Sequence, residues 1–212
     1  MDSGFVYHHA TEDAVQLTLT LVHGSYVPPF ATHYIGAGGV VLRSTGEERP
    51  VGDLRAGGET AELLVVSEAY RTRRHYKLPG GALHPGEHIV DAALREVKEE
   101  TGIDTAFESL VCFRHWHGYR HGKSDIYFVC RLKPLSFEIE RDETEISECF
   151  WMPVEEYLAH PDVHSFNRRI VAAALGREGD EAPVGEDPAV GLVPVDIPGY
   201  GTAETHEFFL PG

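Results

Sequence analysis

The stretch Gly81–Ile103, which reads GALHPGEHIVDAALREVKEETGI, is the part of the chain from which its fold can be argued. Its first third is rich in glycine and proline and indicates a loop, because glycine permits backbone conformations that other residues resist. From about His88 the pattern is helical, since apolar side chains recur at i, i+4 and i+7, at Val90, Leu94 and Val97. Gly102 is a plausible C-terminal stop. The stretch therefore predicts a loop followed by an amphipathic helix.

Three glutamates share one face of that predicted helix, at Glu96, Glu99 and Glu100. Their spacing of i, i+3 and i+4 brings the carboxylates together beside the apolar stripe. Like charges at this spacing cost an isolated helix about 0.2–0.5 kcal/mol per pair, a cost that a divalent cation would reverse. Mg²⁺ suits such a face, because it favours a few carboxylates with substrate phosphates completing its shell. A solvated face balanced by Arg95 and Lys98 is the alternative.

The complete spacing, Gly-x5-Glu-x7-Arg-Glu-Val-x-Glu-Glu-x-Gly-Ile, resembles the Nudix box at every fixed position. The resemblance to the Nudix hydrolase superfamily covers roughly residues 31–160. Shorter runs, among them Tyr7–Ala10, Arg95–Thr105 and Trp151–Pro153, are similar to the branch of plant cytosolic ADP-ribose/NADH pyrophosphatases and of the vertebrate protein encoded antisense to basic fibroblast growth factor. The resemblance implies an α/β fold, an α/β/α sandwich with a mixed, curled β-sheet against which the box helix lies.

The resemblance also implies a metal site. Glu96, Glu99 and Glu100 would be the ligands of Mg²⁺ or Mn²⁺, and the carbonyl group of Gly80 would be a further ligand. Glu99 and Glu100 would thereby belong to the catalytic residues.

Three more residues receive catalytic roles from the resemblance. Glu87 would pair with Arg95 and so orient the loop against the helix. Glu145, which lies beyond the box, would complete the metal site or act as the base, with Glu143 in reserve. A surface acid in an acidic loop is the alternative interpretation of Glu145.

The implied reaction is metal-dependent hydrolysis of the pyrophosphate bond in a nucleoside diphosphate linked to another moiety, which releases a nucleoside monophosphate. ADP-ribose or NADH is favoured as the substrate by resemblance alone, and dinucleoside polyphosphates, capped RNA and oxidised nucleotides remain open. The rival is a catalytically silent Nudix module that binds a nucleotide or a protein partner. Such a module usually has a broken metal face, and since all three glutamates are present here, we expect an enzyme.

Composition restricts the partners and the compartment. A formal net charge of −16 argues against an electrostatic grip on nucleic acid, and a nucleotide-sized substrate fits better. The three cysteines are scattered and indicate buried, reduced thiols. The opening residues lack the pattern of a signal peptide, and no apolar run reaches the 18 residues of a membrane span. We therefore expect a cytoplasmic protein without a membrane partner. A homodimer is one of the oligomeric states that remain open.

The chain divides into three parts by pattern: an N-terminal strand extension (1–30), a Nudix hydrolase domain (31–175) and a Gly-, Pro- and acid-rich tail (176–212). Val15–Val22 alternates with period two, which is typical of a half-buried strand. Further strands are predicted at 33–42, 63–66, 109–113 and 126–132, with a long loop over 43–62. The tail is either disordered or attached to the body through its apolar patches at 193–195 and 208–210.

Two polar segments are candidates for substrate contacts. The basic run Tyr70–Lys77 leads into the glycine- and proline-rich segment 79–86, which we call the glycine loop. The run either helps to bind an anionic substrate or forms a solvated turn. The segment Arg114–Lys123 is predicted to be a loop in which Trp116 and Tyr119 stack on a base while its basic side chains meet phosphate.

Overall fold

The computed structural model describes residues 3–28, 30–44, 61–70, 72–176, 192–195 and 206–211. Its strands are β1 (Val6–Ala10), β2 (Val15–Thr18), β3 (His33–Ser44), β4 (Ala61–Glu68), β5 (Gly80–Ala82), β6 (Thr105–Trp116), β7 (Ser124–Pro134), β8 (Ile146–Pro153), β9 (Leu192–Val195) and β10 (His206–Pro211). Its helices are α1 (Ile89–Thr101), α2 (Val154–Ala159) and α3 (Ser165–Ala174).

Eight strands form one mixed sheet, in the order β8–β4–β3–β7–β6–β10–β9, with β5 paired to β3 beside β4. Strands β3 and β7 run parallel, from His33 opposite Ser124 to Val41 opposite Leu132, and the other pairings are antiparallel. β3 lies inside the sheet, and its run from Gly36 to Leu42 is buried. Strands β1 and β2 form a separate two-stranded sheet.

Helices cover both faces of the large sheet, which confirms the predicted α/β/α sandwich. α1 packs on one face, where Val41, Leu64 and Leu132 are buried against Ala93 and Val97. α2 and α3 pack on the other face in a second core cluster, whose largest fully buried side chains include Leu42, Leu63, Met152, Tyr157 and Ile170. Since alternate residues of β3 and β4 supply the two clusters, the period of two in these strands builds both cores.

Helix α1 ends as predicted, because Gly102 adopts φ 76° and its N–H donates to the Lys98 carbonyl group. The predicted apolar stripe is wrong in detail. Its buried side is formed by Ala92, Ala93, Val97, Glu100 and Thr101, while Val90 and Leu94 are only half-buried. Two small alanines let the helix approach the sheet closely. The helix is therefore rotated about its axis relative to the prediction, so that Glu100 lies inside the buried stripe instead of beside it.

The predicted strands are present, and most are longer than predicted. The exception is β2, which spans only Val15–Thr18 of the predicted Val15–Val22 and is mostly exposed instead of half-buried. β6 continues to Trp116, so Arg114, His115 and Trp116 are strand residues and not loop residues. Most of the predicted 43–62 loop lies outside the described residues. In the tail, β10 pairs with β6 and β9 pairs with β10, so the two apolar patches attach it to the sheet. The three cysteines are free, and within the described ranges no helix is long and apolar enough to cross a membrane.

Candidate active site

Glu100 is the buried centre of the acidic face of α1. It is 6% exposed, and its Oε2 accepts a hydrogen bond of 2.8 Å from the backbone N–H of Gly80. The Nζ atom of Lys77 lies 3.7 Å from Oε1. Burial raises the pKa of Glu100 to about 7, although Lys77 and the Gly80 amide act in the opposite direction. The helix thus presents a buried carboxyl group, and a nearby cation would stabilise its ionised form.

Lys77 and Glu68 extend the acidic cluster around Glu100. Lys77 ends the basic run that was a candidate for substrate contacts, and Glu68 was not among the predicted site residues. The Lys77 Nζ atom lies 2.7 Å from Glu68 Oε1, and both side chains are largely buried. Burial alone would lower the pKa of Lys77, but the charges of Glu100 and Glu68 outweigh it and raise the value. The bridge between Val66 and Lys77 places this lysine beside β4. Two carboxylates that are far apart in sequence therefore share one buried ammonium group.

Arg95 organises the outer part of the site. Its Nε and Nη2 atoms donate to the two oxygens of Glu87, at 2.7 and 2.8 Å, so the predicted pairing is present in the structure. Its Nη1 atom donates to both Glu96 and Glu99, each at 2.8 Å. The hydrogen bond from Arg95, with a second from the His84 amide, lowers the pKa of Glu87 to about 2. One guanidinium group thus joins the loop to two of the predicted metal ligands.

The glycine loop lies directly against the acidic face. A Cβ atom added at Gly81 would overlap the Glu96 carboxylate, so a larger residue there would displace this side chain from its place on the loop. The site therefore combines several carboxylates with main-chain groups of β5, a set of hard oxygen donors that fits Mg²⁺ or Mn²⁺. Within the described ranges no three His, Cys, Asp or Glu side chains are arranged to hold a metal ion as they stand, and Arg95 and Lys77 engage the acids instead.

Glu145 is placed differently from the predicted ligands. Its side chain is exposed, and only its backbone is tied down, by a bond of 2.8 Å from the Ala69 amide to its carbonyl group. Glu145 thus lies beside the end of β4, next in sequence to the pairing of Glu68 with Ile146. Glu143 is exposed as well. The structure therefore brings Glu68, and not Glu145, into side-chain contact with the cluster.

The basic run splits between two places. Lys77 joins the acidic cluster, whereas Arg73, Arg74 and His75 line a separate cavity of about 560 Å³ against the 161–165 segment, where α3 begins. Arg74 is paired there with Glu148 at 2.8 Å. Of the basic side chains of this run, Lys77 is therefore the one that contacts the proposed metal ligands in the described residues.

Aromatic rings gather at the start of β3 and the end of β6. The ring centroids of Trp116 and Tyr119 are 4.9 Å apart, and those of Tyr34 and Tyr119 are 6.0 Å apart. Two cations lie over these rings: Lys123 over Tyr34 at 4.9 Å and Arg120 over Tyr119 at 5.3 Å. We call Tyr34, Trp116 and Tyr119 the aromatic rim. It begins beside the glycine loop, because Leu83 of that loop donates to the carbonyl group of Ile35.

The site has three parts: the glycine loop, the helix α1 with its glutamates, and the sheet behind them. Together they define the class of protein to which the chain belongs. Residues 51–174, more than half of the chain, match the family model described as the NUDIX domain. This chain belongs to the Nudix family.

Individual relatives agree with that assignment and with the predicted branch. The chain is 38% identical over 167 residues to Nudix hydrolase 2 of Arabidopsis thaliana, covering 77% of this chain and 55% of that protein. It is 40% identical over 156 residues to nucleoside diphosphate-linked moiety X motif 6 of Xenopus laevis, covering 72% and 65%. Among solved structures, a NUDIX hydrolase from Nitrosomonas europaea matches with a TM-score of 0.50 and 26% identity, covering 65% and 85%. The chain thus spans between about half and two thirds of the length of these two curated relatives.

Proposed function

We propose that this chain hydrolyses the pyrophosphate bond of a nucleoside diphosphate linked to another moiety and releases a nucleoside monophosphate. The observation that carries the proposal is the buried Glu100 carboxylate, bonded to the amide of Gly80 at 2.8 Å in a complete Nudix box. Membership of the Nudix family supports the reaction class. Residues 31–175 form the hydrolase domain in this proposal, 1–30 an N-terminal extension and 176–212 a tail.

The proposed metal ligands are Glu96, Glu99, Glu100 and the Gly80 carbonyl group. A bound Mg²⁺ or Mn²⁺ ion would neutralise the pyrophosphate and lower the pKa of a bound water. The ligands would have to exchange their present partners, since Arg95 Nη1 lies 2.8 Å from both Glu96 and Glu99. Arg95 can make that exchange without losing its place, because its Nε and Nη2 atoms are held separately by Glu87.

Replacing Glu87 with glutamine should therefore weaken metal binding. The guanidinium charge would then be balanced chiefly by Glu96 and Glu99, which would compete with a cation for the same oxygens. Residues that support metal ligands typically contribute 10–100-fold to affinity, so we expect the apparent Kd for Mn²⁺ to rise by about that factor. Calorimetric titration with Mn²⁺ measures it. Asp91→Asn removes one exposed acid from the same helix and should leave the affinity unchanged, whereas equal affinity in Glu87→Gln and wild type would contradict the role of Glu87.

A carboxylate must also take the proton of the attacking water. Glu145 is the predicted base, and its exposed side chain lies beside the end of β4. Glu68 is the competing candidate that the structure adds, since it already contacts Lys77 within the cluster. Glu145→Gln should remove the acidic limb of the kcat–pH profile. If Glu68→Gln removes that limb and Glu145→Gln does not, the base is Glu68.

The aromatic rim supplies a surface for the base of a nucleotide. Stacking of a base on an aromatic side chain is worth about 1–3 kcal/mol by alanine substitution, so Tyr119→Ala should raise KM about tenfold with a smaller change in kcat. Phe137→Ala, which removes an exposed ring packed near Trp151, is the matched control and should leave KM unchanged. A Tyr119→Ala enzyme with an unchanged KM would exclude this ring from substrate binding.

Release of nucleoside monophosphate from a substrate panel with Mg²⁺ or Mn²⁺ tests the proposed function. ADP-ribose and NADH come first, because the resemblance to the plant branch favours them. Dinucleoside polyphosphates, capped RNA and oxidised nucleotides complete the panel. If no member is hydrolysed while nucleotide binding is retained, the chain is a catalytically silent binding module.

A further inference from the structure

Tyr127 lies on the face of the sheet that carries the aromatic rim. In the pairing of β7 with β3, Asp125 is opposite Tyr34. Tyr127 follows two residues later and is opposite Gly36. In the pairing of β7 with β6, Asp125 is opposite Trp116. Paired residues and alternate residues of a strand point to the same face, so the Tyr127 ring shares its face with Tyr34 and Trp116.

Three glycines allow the side chain of Tyr127 to reach across β3 to the glycine loop. A Cβ atom added at Gly36 would lie 2.7 Å from Cδ2 of the Tyr127 ring. A Cβ atom added at Gly38 or Gly80 would overlap the hydroxyl oxygen of Tyr127. The hydroxyl group thus lies against Gly80, whose amide binds Glu100 and whose carbonyl group is a proposed metal ligand.

Packing accounts for the ring of Tyr127 but not for its hydroxyl group. A phenylalanine ring would fill the same gap, and among the residues that the structure describes the hydroxyl group has no hydrogen-bond partner. Burial and, after it, the charge of Glu100 raise the pKa of this hydroxyl group, so it remains protonated and can donate. Desolvating such a donor costs free energy unless it finds an acceptor. The geometry therefore indicates an acceptor that a ligand supplies.

Arg114 lies beside the Tyr127 ring, and its charge is already engaged. It is opposite Tyr127 on β6, and its guanidinium carbon lies 5.5 Å from the centroid of the Tyr127 ring. It forms an ion pair with Asp125, and the two side chains of this pair are 13% and 8% exposed. Arg114 therefore supports the ring, while the hydroxyl group of Tyr127 is the donor that this row of the sheet presents toward the glycine loop.

The same face joins the aromatic rim to the proposed metal ligands. Tyr34 and Gly38 are four positions apart on β3, which corresponds to about 13 Å in an extended strand. A nucleotide whose base stacks on the rim and whose phosphates reach Gly80 would lie along this stretch. Its diphosphate would then pass over Tyr127, since that side chain lies between the two ends.

We propose that the Tyr127 hydroxyl group donates a hydrogen bond to the diphosphate of the bound nucleotide and holds it between the aromatic rim and the metal ligands. This inference rests on the proposed function, because it takes the nucleotide to be bound with its base at the rim and its phosphates at Gly80. The reach of the ring across the three glycines determines where the donor lies. Tyr127 is thus a substrate-binding residue that β7 supplies from outside the Nudix box.

Tyr127→Phe tests this hydrogen bond, because it removes the hydroxyl group and keeps the ring. Calorimetric titration of the full chain with α,β-methylene-ADP in Mg²⁺ measures the affinity, since this analogue has both phosphates and a bridge that cannot be hydrolysed. A hydrogen bond to a charged group contributes about 10–100-fold to affinity, so Kd should rise by about that factor. On any panel member that the wild type hydrolyses, kcat/KM should fall by the same factor. Tyr157→Phe is the matched control, because it removes a buried hydroxyl group of α2 that has no partner among the described residues, and it should bind like the wild type.

Two results would overturn the role of the Tyr127 hydroxyl group. One is a Tyr127→Phe variant with the Kd and kcat/KM of the wild type. The other is weaker binding accompanied by a lower melting temperature, which would show that the substitution disturbs packing. Failure of the proposed hydrolysis gives a different result: a wild type that binds the analogue but hydrolyses no panel member is a silent module, in which the comparison of Kd values still decides the role of Tyr127. A wild type that neither binds the analogue nor hydrolyses any panel member overturns both proposals.

Discussion

Glu100→Gln should lose most of the proposed pyrophosphatase activity while keeping the fold. Glutamine has nearly the shape of glutamate and retains an oxygen to accept the bond of 2.8 Å from the Gly80 amide. What it lacks is the negative charge that a divalent cation requires. Removing one preorganised electrostatic contact from an active site typically lowers kcat by about 10²–10³, and we expect a loss of that order here. Monophosphate release at saturating Mg²⁺ measures it on whichever panel member the wild type turns over.

The control for this substitution must change charge without touching the site. Asp91→Asn removes one exposed acid from the first turn of the same helix and should keep kcat near the wild-type value. The thermal melts of both variants should resemble that of the wild type. A Glu100→Gln variant as active as Asp91→Asn would remove Glu100 from the metal site and with it the observation on which the proposed function stands.

The parts of the site that sequence predicted well are those determined by local spacing. Glu96, Glu99 and Glu100 lie at i, i+3 and i+4 on one helix, as the spacing predicts, and Gly102 ends that helix through its own φ of 76°. The pairing of Glu87 with Arg95, which the resemblance implied, connects a loop to the helix that follows it at once. In each case the contact spans eight residues or fewer, so the pattern of the sequence contains it.

Contacts between segments that are distant in the sequence could not be predicted from local spacing. Glu68 and Lys77 come together because Lys77 pairs with β4 at Val66, and they reach Glu100 only when the sheet and α1 are packed. Lys77 is one cation among several in its run, and nothing local distinguishes it from Arg73 or Arg74. The position of Glu145 could not be predicted for the same reason, since it depends on how the loop before β8 meets the end of β4.

The helix stripe illustrates a third limit. Periodicity correctly predicted an amphipathic helix at residues 89–101. The face that is buried against the sheet, however, is the one with the small side chains. Ala92 and Ala93 contribute little apolar surface each, so a pattern of large residues overlooks them. Close packing of the helix on the sheet favours such small residues. The buried position of Glu100, and therefore its raised pKa of about 7, follows from that tertiary choice.

Gly80→Ala should be the most destabilising single substitution in the glycine loop. Gly80 has φ 148°, and an added Cβ atom would lie 2.4 Å from the Gly38 Cα atom and 2.6 Å from the Ala37 oxygen. Strain at such a backbone conformation and overpacking each cost about 1–3 kcal/mol, so we expect a loss of roughly 2–4 kcal/mol in the free energy of unfolding. For a chain of this size that lowers the melting temperature by about 5–15 °C, which calorimetry can measure.

Gly86→Ala is the comparison that isolates the cause. Gly86 also has a positive φ, of 80°, but an added Cβ atom there would meet nothing within 4 Å. Its substitution should therefore carry backbone strain without the contacts to β3, and the melting temperature should fall less than in Gly80→Ala. Equal losses would mean that strain alone explains both. A larger loss at Gly80 means that β5 is pressed against β3 at this position, and that this contact holds the amide that binds Glu100 in place.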